Sequence, residues 1–258
     1  MRVAGVQHDI VWEQGEATRR RLEPQIAAAA GTGADLIAVS EMFANGFSMN
    51  TAVVAEPMEG PSLEFLVGQA GRHGVILVGS ISTNHPDHPL PINRLVVVDG
   101  NGLVAEYAKI HPFSFSGEDQ HYSAGNSFLT LDLHGVRCTF FVCYDLRFAD
   151  EFWVNAAATD LYVIVANWPG GRRLHWQTLL RARAIENQAY VLGVNRVGLD
   201  GNDGDEQRLL YTGDSMLIDP LGELLATAAG SETVIVGDVD PAIVTEVRTR
   251  FPFQADRR

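Results

Sequence analysis

The sequence predicts an α/β protein whose sheets are covered on both faces, and three observations predict it. Short apolar runs alternate with helical patterns along the whole chain, the signature of layered α/β architectures. Several apolar runs, including Leu36-Ile37-Ala38-Val39 and Val75-Ile76-Leu77-Val78, are continuous rather than alternating, as in strands buried on both sides. No Pro/Ser-rich linker, low-complexity tract or break in composition interrupts the series. Residues 1–258 are therefore expected to form a single domain, a length that suits one large α/β unit. The strand number fits two packed sheets, each covered by helices, and equally one long doubly wound sheet.

Taken in order, residues 2–7 read as a strand. Residues 15–30 read as a helix with Leu22, Ile26, Ala29 and Ala30 on one face; its Arg19-Arg20-Arg21 triplet is expected to lie mostly in solvent. Residues 36–39 and 75–78 are buried strands, with helical residues 62–73 between them. Residues 93–99 and 103–108 form a hairpin about Asp99-Gly100-Asn101-Gly102, a strong turn signal. Then come a strand at 136–142, a helix at 148–158 and a strand at 161–166. A helix at 172–188 carries Trp176, Leu179, Leu180 and Ala184 at helical spacing. Strands near 189–195, 213–218 and 232–238 and a short helix at 241–249 complete the series.

Composition narrows the function. A formal net charge of −13 argues against a nucleic-acid partner, which needs a basic footprint. The two cysteines, Cys138 and Cys143, are too few for a disulfide scaffold. They are also poorly placed to bridge each other. Five residues of strand span roughly 16 Å, whereas bridged Cα atoms sit about 4.4–6.8 Å apart. Free thiols suit a reducing compartment. The N-terminal residues lack a signal-peptide core, and no apolar run reaches ~18 residues. A cytoplasmic protein without membrane contact is the expectation.

Two segments share one design. Asp35-Leu-Ile-Ala-Val-Ser-Glu41 is an apolar strand ending in a carboxylate, and Arg137-Cys-Thr-Phe-Phe-Val-Cys143 is an apolar strand ending in a thiol. In layered α/β proteins ligands gather beyond the carboxyl ends of strands. Cys138, five residues before Cys143, projects to the opposite face and is assigned to the core. Lys109, in Tyr107-Ala108-Lys109-Ile110-His111-Pro112, follows an apolar strand and is a candidate to turn inward. Ser116-Gly117-Glu118-Asp119-Gln120-His121-Tyr122 is polar and reads as a loop.

Together these segments resemble the nitrilase superfamily of carbon–nitrogen hydrolases, over nearly the whole chain. Ser40-Glu41-Met-Phe, Tyr107-Ala-Lys109-Ile-His and Val142-Cys143-Tyr-Asp-Leu-Arg-Phe follow the family order of Glu, Lys, Cys. Within the superfamily the chain is similar to the bacterial omega-amidase branch. That likeness rests on Glu41-Met-Phe-Ala-Asn-Gly-Phe-Ser-Met49, Gly117-Glu-Asp-Gln-His-Tyr122, Ala166-Asn-Trp-Pro169 and residues 175–190. The resemblance implies a four-layer αββα sandwich that pairs as a homodimer, and a reaction without metal or organic cofactor. It implies Cys143 as nucleophile, Glu41 as general base, Lys109 as cationic stabiliser and Glu118 as a second glutamate positioning the lysine. Tyr144, Arg147, Phe115, Asn167 and Trp168 are the expected substrate-binding residues. The branch implies small dicarboxylic monoamides as substrates, whose free carboxylate needs a cationic anchor; Arg147, Arg172 and Arg173 are the candidates.

The chemistry follows from the residue types. A neutral thiol is a poor nucleophile, so a carboxylate that takes its proton and a cation that steadies the resulting charge complete a working set. Other readings fall away. No P-loop or G-x-S-x-G elbow occurs. Asp200-Gly-Asn-Asp-Gly-Asp205 lacks glycine at the sixth position of a calcium loop, Tyr211 stands where the closing glutamate belongs, and the segment is expected to be a mobile turn. His85 and His88 have no third clustered metal ligand, and His175 is expected to be a surface or packing residue. No neighbouring motif nominates a histidine partner for Cys143, as a papain-type protease would need. Two alternatives stay open: a nitrilase or N-carbamoyl amino acid hydrolase with the same triad, and a non-catalytic interaction protein on this scaffold. Arg208-Leu-Leu-Tyr-Thr-Gly-Asp-Ser215 keeps only Gly-Asp-Ser of the branch pattern, so the pocket rim there is expected to differ.

Overall fold

A computed structural model describes residues 1–202 and 204–256. The alternation of strand and helix signals resolves into two mixed sheets. The first half supplies β1 (Arg2–Gln7), α1 (Gly15–Gly31), β2 (Leu36–Ala38), α2 (Thr51–Val54), α3 (Pro61–His73), β3 (Ile76–Thr83), β4 (Ile92–Asp99), β5 (Gly102–Ala108) and the single turn α4 (Glu118–His121). The second supplies β6 (Thr130–Leu133), β7 (Val136–Val142), α5 (Ala149–Asn155), β8 (Leu161–Ala166), α6 (Arg173–Asn187), β9 (Tyr190–Asn195), β10 (Val197–Leu199), β11 (Leu210–Ile218), β12 (Leu224–Ala229), β13 (Thr233–Asp238) and α7 (Pro241–Arg250).

One sheet runs β13-β1-β2-β3-β4-β5; the other runs β10-β11-β9-β8-β7-β6, with β12 also on β11. Each has a parallel core of three strands, β1-β2-β3 and β7-β8-β9, flanked by antiparallel strands. This settles the question left open by the sequence: there are two sheets, not one long one. They share a core in which Val3, Leu36, Val78 and Val97 join Phe140, Val142, Leu192 and Val194. The approach is close. A Cβ added at Gly5 of β1 would lie 2.8 Å from Val194 Cγ2 of the other sheet, so only glycine fits there. Leu22 and Ile26 of α1 and Leu66 of α3 cover the first sheet, and Trp176 and Leu180 of α6 pack into the core of the second. The result is an αββα sandwich.

Local chemistry explains the helix ends. In α3, Pro61 opens the helix, where its missing N–H is no loss, and Gly74 closes it at φ 66°. In α7, Asp240 caps Ala242 N at 2.9 Å and Pro241 follows it. The expected helix at 148–158 is shorter than the sequence suggests: α5 ends at Asn155 and a 3₁₀ turn, Ala156–Ala158, follows. The arginine triplet is split. Arg20 and Arg21 are exposed, but Arg19 turns inward to Ser62 Oγ (3.1 Å) and Glu56 (3.6 Å), a buried acidic partner that helical spacing cannot announce. Cys138 is fully buried in the core, as expected.

The tail is tied to its own chain through its backbone and Gln254: Gln188 Nε2 donates to Phe251 O (2.8 Å) and Gln254 Nε2 donates to Asn187 O (2.6 Å). Phe253 is half-buried, while Phe251 remains 66 % exposed. Arg257 and Arg258, and Asp203 of the predicted turn, lie outside the described residues. No helix among the described residues is long and apolar enough to cross a membrane.

Candidate active site

The carboxyl ends of the two parallel cores meet, and the site lies where they do. Glu41 follows β2 by three residues, Cys143 follows β7 directly, and Asn167 follows β8 directly. Asn167 joins the sheets: its backbone N–H donates to Glu41 Oε2 (2.8 Å) and its Nδ2 to the Glu41 carbonyl (2.6 Å). Lys109, just past β5, is indeed turned inward and is 1 % exposed. Its Nζ donates to Glu41 Oε1 at 3.0 Å and to Glu118 Oε1 and Oε2 at 3.0 and 2.7 Å. The Phe47 ring lies 5.1 Å from the same ammonium.

Glu118 corrects the sequence reading of its segment. It opens α4 rather than sitting in a loop, and it is fully buried. Four residues are too few to show helical periodicity. The Phe113 backbone N–H also donates to Glu118, at 2.5 Å. Burial alone would lower the Lys109 ammonium, but the charges of Glu118 and Glu41 outweigh it and hold the group cationic. Glu118 is pushed upward by burial and by Glu41, against the pull of Lys109.

Cys143 sits at φ 46°, a left-handed conformation that costs a non-glycine residue roughly 1–3 kcal/mol. The cause lies behind it. Asp145, wholly buried, accepts from Val142 N (3.0 Å), Tyr107 Oη (2.8 Å), His111 N (2.9 Å) and His111 Nδ1 (3.1 Å). One carboxylate thus holds the turn that carries the thiol against the strand end that carries Lys109. The thiol lies 3.9 Å from Asn167 O. Burial, then the Glu41 charge, push it well above the ordinary cysteine range, with Lys109 opposing. A shift in this direction favours the protonated thiol. Thiolate absorbance at 240 nm, as a difference against Cys143→Ala, should appear only above the free-cysteine value of about 8.5; a thiolate already formed at neutral pH would contradict this arrangement.

The thiol forms part of the lining of a cavity of about 190 Å³. Four of the five expected substrate-binding residues line it: Tyr144, Arg147, Asn167 and Trp168. Phe115 does not; it is 86 % exposed, and Phe113 takes its place in the wall. The anchor candidates separate. Arg147 and Arg172 both line the cavity. Arg147 lies 4.8 Å over the Trp168 ring, with His175 Nδ1 3.3 Å from its guanidinium. Arg173 instead pairs with Asp214 at 2.6 Å and is not part of the wall. The unusual 208–215 segment does border the pocket, through Leu209 and Tyr211. Asp200, expected in a mobile turn, is also in the wall and accepts from Leu209 N (2.6 Å) and Tyr211 Oη (3.2 Å).

Two residues escaped the sequence reading. Asn93 Nδ2 bridges Glu41 Oε1 (2.8 Å) and Glu118 Oε1 (3.2 Å), and its Oδ1 is held by Ser80 Oγ (2.8 Å). Its only signal was a polar residue within an apolar strand. Asp145 stood inside the motif around Cys143 but had no visible partner. Among the described residues no group of three His, Cys, Asp or Glu side chains could hold a metal ion.

A thiol, an ammonium and two carboxylates gathered at the strand ends of an αββα sandwich define a class, and the chain belongs to it: the carbon–nitrogen hydrolase family, whose sequence profile matches residues 2–249. The chain is 38 % identical over 258 residues to omega-amidase YafV of Escherichia coli (strain K12), covering 99 % of this chain and 96 % of that protein. It is 32 % identical over 231 residues to 2-oxoglutaramate amidase of Bacillus subtilis (strain 168), covering 87 % and 85 %. A solved carbon–nitrogen hydrolase superfamily protein of Xanthomonas campestris, carrying an arsenic adduct in its active site, superposes with a TM-score of 0.92 at 36 % identity, covering 100 % of this chain and 97 % of that one.

Proposed function

We propose that this protein is an omega-amidase-like amidohydrolase, cleaving the terminal amide of a small dicarboxylic monoamide such as 2-oxoglutaramate or 2-oxosuccinamate to the 2-oxo acid and ammonia. The observation that carries the reading is the buried Glu41–Lys109–Glu118 network beside Cys143, in a pocket that also presents Arg147 and Arg172. Glu41 takes the thiol proton as Cys143 attacks the amide carbon. The oxyanion is met by Lys109 and by the backbone N–H of Tyr144. Glu41 then passes its proton to the departing nitrogen, ammonia leaves, and the same carboxylate activates the water that hydrolyses the thioester. Glu118 and Asn93 hold Lys109 and Glu41 in register throughout. An ammonia-release screen over ω-amides, nitriles and N-carbamoyl amino acids tests the reading. Release from a nitrile and from no amide would replace it with a nitrilase, and no turnover at all would favour an interaction protein.

The two arginines account for the substrate's carboxylate. A charge-assisted hydrogen bond contributes about 1.5–3 kcal/mol, so Arg147→Met should raise KM for a carboxylate-bearing ω-amide roughly 10- to 100-fold. KM for a neutral amide of the same length should stay nearly constant. An equal rise for both would remove the anchor role.

A cytoplasmic homodimer is part of the same proposal. It is supported by exposed apolar side chains on α5 and α6, with Val154 at 72 %, Leu174 at 69 % and Ile185 at 46 % exposure. Apolar faces of this kind favour burial in a two-fold contact. Sedimentation should give twice the chain mass of 28.1 kDa; a sole monomer at micromolar concentration would refute the dimer.

A further inference from the structure

Asn167 has one side-chain atom that the described residues leave unpaired. Its backbone N–H, its Nδ2 and its backbone carbonyl are engaged by Glu41 Oε2, the Glu41 carbonyl and the Cys143 thiol. Its Oδ1 is buried with no hydrogen-bond partner among the described residues. The 2.6 Å contact from Nδ2 to a carbonyl fixes which end of the carboxamide is oxygen, since the flipped form would set two acceptors against each other. Ser40 Oγ is also buried without a partner among the described residues, but Ser40 does not line the cavity. Asn167 is the one residue in the described wall that carries such an atom. A hydroxyl can rotate to find a partner; a carboxamide oxygen held by its own Nδ2 cannot. An acceptor enclosed in this way is costly until a donor arrives.

We propose that Asn167 Oδ1 accepts a hydrogen bond from the scissile –NH₂ of the substrate, and so selects primary amides over esters of the same acid. The inference rests on the amidohydrolase reading above and deepens it. Cys143 and Glu41, the groups Asn167 already touches, are those that act on the amide carbon and nitrogen in that reading. A primary amide brings an N–H to this position; an ester or a nitrile brings none and leaves the acceptor unpaired. Sites built to hydrogen-bond a substrate group discriminate strongly against analogues lacking it.

The test compares succinamate with monomethyl succinate, two acyl donors that give the same thioester. Asn167→Leu should lower kcat/KM for succinamate roughly 10- to 100-fold more than for monomethyl succinate. A role confined to holding Glu41 would lower both alike. Equal losses, with wild-type amide hydrolysis intact, would overturn this inference and leave the amidohydrolase reading standing. Wild-type turnover of the ester but not of the amide would overturn both. If Asn167→Leu fails to fold, calorimetric binding to the Cys143→Ala protein decides. Succinamate should then bind at least about ten-fold more tightly than monomethyl succinate, and equal affinities would overturn the proposal.

Discussion

Replacing Cys143 with alanine should reduce ammonia release by on the order of 10⁴-fold or more, the loss typical of removing the nucleophile from a unit that works together. Folding should be little affected. Cys143 is in the pocket wall and holds a left-handed backbone that alanine tolerates about as well. Cys138→Ala is the matched control. Its sulfur lies in the shared core, so the change should lower stability by about 1 kcal/mol or more through lost packing while most activity remains. The pair separates a reactive thiol from a packing thiol in one chain. Wild-type ammonia release from the Cys143→Ala protein would end the proposed mechanism.

Lys109→Met should damage rate and fold together. Loss of one well-placed electrostatic donor typically costs on the order of 10²–10³ in rate. The lysine also neutralises two buried carboxylates, Glu41 and Glu118. Breaking a buried pair by removing one partner costs about 3–5 kcal/mol. The cost should depend on pH, with a definite sign. Burial and Glu41 already raise the folded-state pKa of Glu118, and removing Lys109 raises it further. A carboxyl raised on folding contributes stability below its unfolded value of about 4.3, and that contribution is lost as pH rises through its folded value. Lys109→Met should therefore melt closer to wild type at pH 5 than at pH 8. Adding Glu118→Gln should recover most of the stability at pH 8 and none of the rate. A Lys109→Met protein as stable as wild type at pH 8, or one retaining more than a tenth of wild-type kcat, would contradict the role given to the network.

Most of the sandwich was legible because its signals are local. The continuous apolar runs that became β2, β3, β7 and β8 report burial on both faces, and the Asp99–Gly102 turn and the caps of α3 and α7 are written within a few residues. The missed elements lack such signals. β10 has three residues, α4 has four, and β12 is an edge strand whose Leu224–Ala229 run is exposed or half-buried throughout, so no periodicity sets it apart. The same distinction holds at the site. Glu41, Lys109 and Cys143 could be nominated because each follows an apolar strand. Phe113 escapes the sequence reading, which names Phe115, because nothing in Pro-Phe-Ser-Phe-Ser says which ring the turn directs inward. Arg173 could not be set apart from Arg172 until Asp214, distant in sequence, was found beside it.

By itself, then, the sequence determined the layered α/β class, the strand-end placement of three chemical groups and the resemblance that joined them. Only the tertiary structure decided that there are two sheets, that Glu118 is buried, that Asn93 and Asp145 hold the charged groups in register, and that Asn167 keeps an acceptor unpaired among the described residues. The physical reason is range. Strand, turn and cap preferences act over a few neighbouring residues, whereas Glu41 and Asn167 are 126 residues apart along the chain and 2.8 Å apart in space. A buried charge or amide is tolerated only where distant partners satisfy it, and which partners arrive is fixed when the two sheets close on each other.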